Sequence, residues 1–107
     1  MEKKSKAQTF IGFVIRAGKF RIGANAVATL KKACLIIVCY TAADNTKKEA
    51  DKLAKKFHAP IIETVDNTLE NLTHRENAKV MAVTDKDLSQ AILDNLEKDF
   101  VKRNLGE

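Results

Sequence analysis

Apolar positions along the chain alternate between the three-to-four-residue spacing of helices and short unbroken runs. Phe10, Phe13, Val14 and Ala17 follow helical spacing, which predicts an amphipathic helix near Lys6 to Arg16 with an aromatic inner face, ended at Gly18. Phe20 to Ile22 reads as a short extended piece leading to Gly23. A second helix is predicted over Asn25 to Lys32, with Asn25 as its N-cap and Val27 and Leu30 facing inward. Lys31 and Lys32 fall in its last turn, where cations suit the negative end of the helix dipole.

The run CLIIVCY, residues 34–40, is continuously apolar and rich in β-branched residues, the pattern of a central strand covered on both faces. Residues 41–60 read as a turn and a helix that Asp44 or Asn45 caps, with Ala50, Leu53, Ala54 and Phe57 as its apolar stripe and Pro60 as its stop. Ile61 to Val65 is a short strand, Asn67 to His74 a short helix, and Lys79 to Val83 a second buried strand. Lys86 to Phe100 closes the pattern as a helix capped by Thr84 or Asp85, with Leu88, Ile92, Leu96 and Phe100 on one face. Helices alternating with short buried strands predict an α/β fold, specifically a three-layer α/β/α sandwich around a small four-stranded, largely mixed sheet.

The 107 residues fit one domain with its core over about residues 6–100, since a chain of this length buries roughly two-thirds of its unfolded surface. A hydrophobic share of 45% with 31% charged residues is ordinary for a soluble globular protein, and one Pro and four Gly exclude a collagen-like or low-complexity class. Cys34 and Cys39 are five apart in a predicted strand, so they face opposite sides and form no local disulfide. Free thiols, the lack of a secretory pattern and apolar runs too short for a bilayer predict a cytoplasmic protein that does not engage a membrane.

Charge changes the picture more than composition does. Residues 1–56 carry 13 Lys/Arg against 4 Asp/Glu, whereas residues 57–107 carry 6 against 10, within a formal total of +5. Such polarity points to one basic face aimed at a polyanion. In residues 10–33, Gly18 and Gly23 bound two turns, Arg16, Lys19 and Arg21 lie between or beside them, and a helix start at Asn25 would aim free N–H groups at an anion. Open α/β folds bind ligands at one end of the sheet, so the Gly23-Ala24-Asn25 turn and the Asp44 to Lys48 turn are expected side by side as a joint anion site. Lys47 stands in a first helical turn against the dipole, which marks it for function. Lys48, Lys52, Lys55 and Lys56 occupy the face away from the apolar stripe, a solvated surface that Glu49 and Asp51 support.

Enzyme chemistry finds little support. The chain lacks a dinucleotide fingerprint, a phosphate loop and zinc-ligand spacing. His58 and His74 read as solvated, Ser5 and Ser89 lack a nucleophile elbow, and Asp85 and Asp87 read as helix-start residues. The expectation is a protein that is not an enzyme and needs neither cofactor nor metal.

Ile11-Gly12-Phe13, Arg16-Ala17-Gly18-Lys19, Gly23, the apolar strand, Asp44-Asn45-Thr46-Lys47-Lys48, Ala59-Pro60-Ile61 and Ala82-Val83-Thr84-Asp85 follow one another in an order that resembles a known family. It is the family of small kink-turn-binding ribosomal proteins, the L-seven-Ae and L-thirty-e group, and the match runs from about Phe10 to Leu93. The resemblance implies binding of structured RNA through the Gly-x-Asn turn and second helix, the start of the third helix, and the loop before the last strand. In the family, Gly-x-Asn is followed by Glu and, three positions on, by Lys, which read sheared G·A pairs; here Ala26 and Thr29 stand at those places. The loop Leu72 to Ala78 is two residues shorter than the family's and lacks its glycines, with Arg75 placed to stack on a base or meet a phosphate.

The expected RNA-binding residues are Arg16, Lys19, Arg21, Gly23, Ala24, Asn25, Lys31, Asn45, Lys47, Lys48 and Arg75. The function they imply is a non-enzymatic RNA-binding protein of the translation apparatus, a monomer recognising kink-turn-like RNA with reduced or altered specificity. Ribosomal proteins are further expected partners. The alternative is a protein-interaction module of the same fold that has lost the RNA site and docks on a ribosomal or translation-factor partner.

Overall fold

The computed structural model describes residues 5–103. Helix α1 (Lys6–Ala17) opens where the Ser5 hydroxyl accepts the Gln8 N–H at 3.1 Å and closes at Gly18, which adopts φ 70°. The chain continues through β1 (Phe20–Ile22), α2 (Ala24–Ala28), β2 (Leu35–Val38), α3 (Asp44–Phe57), β3 (Ile61–Thr64), α4 (Leu69–Thr73), β4 (Val80–Val83), α5 (Lys86–Asp94) and β5 (Phe100–Lys102). The strands form one open mixed sheet in the order β1-β4-β2-β3-β5. Among the described residues, only β2 and β3 run parallel; the β1–β4, β2–β4 and β3–β5 pairs are antiparallel.

Side-chain alternation divides the core. From β2, Leu35 and Ile37 join Ile11 and Val14 of α1, Leu69 of α4 and Ile92 of α5, while Ile36 and Val38 join Val27 of α2 and Ala50, Leu53 and Ala54 of α3. Helices therefore cover both faces of β2, which sits at the centre of the sheet as its unbroken apolar run predicts.

Five elements differ from the pattern-based expectation. The sheet has five strands rather than four, because the last helix ends at Asp94 and Phe100 returns to the core from β5. Leu88, Ile92, Leu96 and Phe100 keep helical spacing, yet the Asn95 side chain donates to the Ala91 carbonyl and its backbone leaves the helical region. The second helix is five residues long, Ala24–Ala28, and not Asn25 to Lys32. Thr29 ends it by donating both its hydroxyl and its N–H to the Ala26 carbonyl, and Lys31 and Lys32 lie beyond the helix. Gly23, not Asn25, occupies the cap position there, and Ala43 rather than Asp44 or Asn45 caps α3, both without a side-chain cap bond. On α1 the inner stripe is Ala7, Ile11 and Val14; Phe10 is half-buried, Phe13 is 41% exposed and Ala17 is exposed. The i, i+4, i+7 stripe of smaller side chains lies on the core and leaves the aromatics on its flank.

His58 and His74, both exposed, take the left-handed conformation that ends α3 and α4, at φ 52° and 57°. Gly18 and Gly23 (φ 98°, ψ 135°) also need positive φ, and a Cβ at either would meet nothing within 4 Å. Substitution there is a pure backbone test. Gly18→Ala is expected to cost about 1–2 kcal/mol in urea denaturation, and Gly23→Ala more, about 2–3 kcal/mol, because its dihedrals lie outside the left-handed helical well.

Candidate functional site

The tie between β1 and β4 builds the site. Gly23 donates its N–H to the Val80 carbonyl at 2.8 Å, which holds the Gly23-Ala24-Asn25 turn against the start of β4. A groove of about 450 Å³ forms there, lined by Gly23, Ala24, Asn25 and Ala26, by Thr46 from the first turn of α3, and by Asn77 and Lys79 from the segment before β4. The two turns expected at one end of the sheet thus meet. With only five residues, α2 supplies little dipole, so the groove offers side-chain amides and hydroxyls rather than the joint helix-start field expected of it.

Asn77 adopts φ 60°, which Asn tolerates better than most residues. The Lys79 ammonium donates to the Thr41 hydroxyl at 2.8 Å and pairs with Glu70 at 3.2 Å, so its charge is already matched.

A second depression, a cleft of about 540 Å³, runs beside β1 and is lined by Arg16, Gly18, Phe20, Arg21, Ile22 and Arg75 among others. Among the described residues β1 pairs with β4 alone, which makes it an edge strand of the sheet. Arg75 lies over the Phe20 ring, 5.2 Å from its centroid, and Arg21 donates to the Phe20 carbonyl at 3.3 Å. Both contacts orient guanidinium groups while leaving the two arginines exposed. Ile22 lines both groove and cleft, so the two depressions lie at neighbouring positions along β1.

Of the residues expected in the site, Arg16, Arg21 and Arg75 converge in the cleft, and Gly23, Ala24 and Asn25 in the groove. Asn45 and Lys48 are exposed in the first turns of α3 without lining either depression, while Lys19 and Lys31 are exposed outside both. Lys47 is not a free cation: it pairs with Glu63 on β3 at 3.3 Å, which offsets its unfavourable place on the α3 dipole. Thr46 comes from the Asp44 to Lys48 turn expected there, whereas Asn77 and Lys79 are lining residues that pattern reading misses. Asn77 in a polar stretch ahead of an apolar run signals a turn, but only the fold carries that turn to Gly23.

Glu63 also meets Arg103, just after β5, whose guanidinium grips Asp51 of α3 through Nε at 2.9 Å and Nη2 at 2.8 Å. Hydrogen bonding to Asp51, against the opposing effect of burial and with help from Glu63, raises the Arg103 pKa further above its ordinary value. Arg103→Ala is expected to destabilise the protein by about 1–2 kcal/mol in urea denaturation, because a bidentate, networked pair exceeds an isolated surface pair. Arg103→Lys should recover less than half of that loss, since an ammonium lacks the two-pronged geometry.

Cys34 and Cys39 are free, and Cys39 is fully buried. Burial pushes the Cys39 thiol up, but hydrogen bonds from Thr41, the Leu69 N–H and Thr64 outweigh it and leave its pKa lowered. Among the described residues, no group of three or more His, Cys, Asp or Glu side chains is placed to hold a metal, and no helix is long and apolar enough to cross a membrane.

No family model and no curated protein matches the chain. Solved structures do: 23 chains match, among them a protein of unknown function from Bacillus halodurans, with a TM-score of 0.70 over 85% of this chain and 96% of that one. At 22% identity this likeness defines the mixed α/β fold.

Proposed function

We propose that the protein binds structured RNA in the translation apparatus of the cytoplasm, as a three-layer α/β/α member of the kink-turn-binding family that its sequence resembles. The observation that carries this reading is the arginine cleft beside β1, with the amide groove at the other end of the same short strand, Ile22 lining both. The cleft offers the delocalised cations that suit phosphates, and phosphate contacts position an RNA without specifying it. The groove offers what base edges require: Asn25 and Asn77 each present one acceptor and two donors, and Thr46 adds a hydroxyl. Asn77 gives the groove a second amide where Ala26 and Thr29 remove the charged side chains of the family pattern. Recognition is then more neutral than in that pattern, with altered preference among kinked RNAs.

The test is a titration against a labelled kink-turn RNA and a copy with its G·A pairs replaced, each at low and near-physiological salt. Tighter, salt-sensitive binding of the intact kink supports the reading. Failure to bind either RNA at near-physiological salt overturns it and leaves the protein-docking alternative.

A further inference from the structure

Phe13 is out of place for a core residue. The core-facing needs of α1 are met by Ala7, Ile11 and Val14, yet Phe13 holds its ring 41% exposed, edge-to-face with Phe10 at 5.9 Å between centroids. Lys6, Thr9, Phe10, Phe13 and Arg16 fall on one side of α1, so the aromatics sit between two cations with no acid in that stripe. The first four, with Asn95, line a shallow depression of about 350 Å³. The Arg16 guanidinium lies over the Phe13 ring at 4.9 Å from its centroid and also lines the arginine cleft.

From this we infer that the Phe10/Phe13 ridge is a stacking platform for an unpaired base in a single-stranded segment that flanks the structured RNA. The inference rests on the RNA-binding reading and adds a second contact outside the groove and cleft. Two features select single-stranded RNA as the occupant. Arg16 belongs to both the cleft and the ridge, so a strand leaving the cleft meets Phe13 directly beyond that guanidinium, and Lys6 supplies a cation for the next phosphate. An exposed aromatic ring between cations matches the base-and-backbone repeat of a single strand, whose bases stack on any π-face.

The experiment compares the same labelled kink-turn RNA in blunt form and with a six-nucleotide single-stranded extension on either end. The proteins are the unaltered chain, Phe13→Leu and Phe13→Trp, with circular dichroism confirming that each is folded. One extension is expected to raise the affinity of the unaltered chain about tenfold, the effect of stacking one or two bases. Phe13→Leu, which keeps an apolar side chain without a π-face, should lose that gain, and Phe13→Trp should retain or increase it. Blunt RNA should bind all three proteins within about twofold. If blunt RNA binds but neither extension adds affinity, the platform falls and the RNA-binding reading stands. If Phe13→Leu keeps the full gain, stacking is overturned in favour of a general apolar contact of the kind a protein partner would make. If no RNA binds, both readings fall together.

Discussion

Arg21→Ala combined with Arg75→Ala is expected to weaken binding of the intact kink and its G·A-replaced copy alike, by about ten- to hundredfold at near-physiological salt. The two side chains lie in one cleft, exposed and anchored on Phe20, without a salt-bridge partner among the described residues. Each phosphate they neutralise releases condensed counterions, so the loss should be larger than for a rim lysine already matched by a carboxylate. With about four phosphates neutralised, the unaltered protein should show a log–log salt slope of roughly −3 to −4, and the double variant a slope shallower by about two. Lys47→Ala is the internal contrast. Because Lys47 pairs with Glu63, its removal should change the slope by less than half a unit, about the limit of detection. Affinities measured at four or more salt concentrations decide the matter, and an unchanged slope in the arginine double variant would remove the cleft from the interface.

Asn25→Ala with Asn77→Ala is expected to act differently, lowering affinity for the intact kink while leaving the G·A-replaced copy nearly unaffected. A well-placed amide contact to a base edge is worth about 1–3 kcal/mol of discrimination, so the double variant should narrow the gap between the two RNAs at least tenfold. Both side chains line one groove, and a double-mutant cycle should show coupling if they read neighbouring bases. Asn77 carries a particular risk, since its φ of 60° makes replacement by Ala mildly strained. Asn77→Gly removes the amide without that strain and serves as the second variant. Retention of the full gap in the Asn25/Asn77 double variant would place base reading elsewhere.

These two predictions separate affinity from specificity between cleft and groove. On the proposed reading, arginines would contribute sequence-independent attraction and neutral amides selection. The departures at Ala26 and Thr29 remove charge only from the second part. The protein should therefore keep much of the affinity of a basic RNA binder while its discrimination depends on fewer, uncharged groups.

The order of elements was legible in the chain because each carries its own local signal. Gly18 stops α1, Leu35 to Val38 has no polar residue to turn outward, and Pro60 with the αL residue His58 brings α3 to its end. β2, β3 and β4 fall where short apolar runs predict strands, and β1 where Phe20 to Ile22 reads as a short extended piece. β5 was hidden because Phe100 continues a helical stripe, and spacing alone cannot say whether a side chain reaches the core from a helix or from a strand. The burial of α1 is ambiguous in sequence for a related reason: two apolar stripes that share Val14 overlap on one helix, and only the packing of α4 and α5 against it chooses Ala7, Ile11 and Val14.

For the site, the sequence by itself determined the chemistry: the basic half, the glycines at Gly18 and Gly23, and the amide at Asn25 are all present before folding. Tertiary structure decided which of them act together. Pairing of β1 with β4 placed Asn77 beside Asn25, which are 52 positions apart in the chain, and brought Arg75 to Arg21. Pairing of β3 with β5 delivered Arg103 to Glu63, and packing of α3 against β3 turned Lys47 from a candidate contact into a structural ion pair with that same carboxylate. Periodicity and capping report interactions between residues a few positions apart, whereas strand order is set by burial over the whole chain. Side chains that meet only through that order carry no local mark.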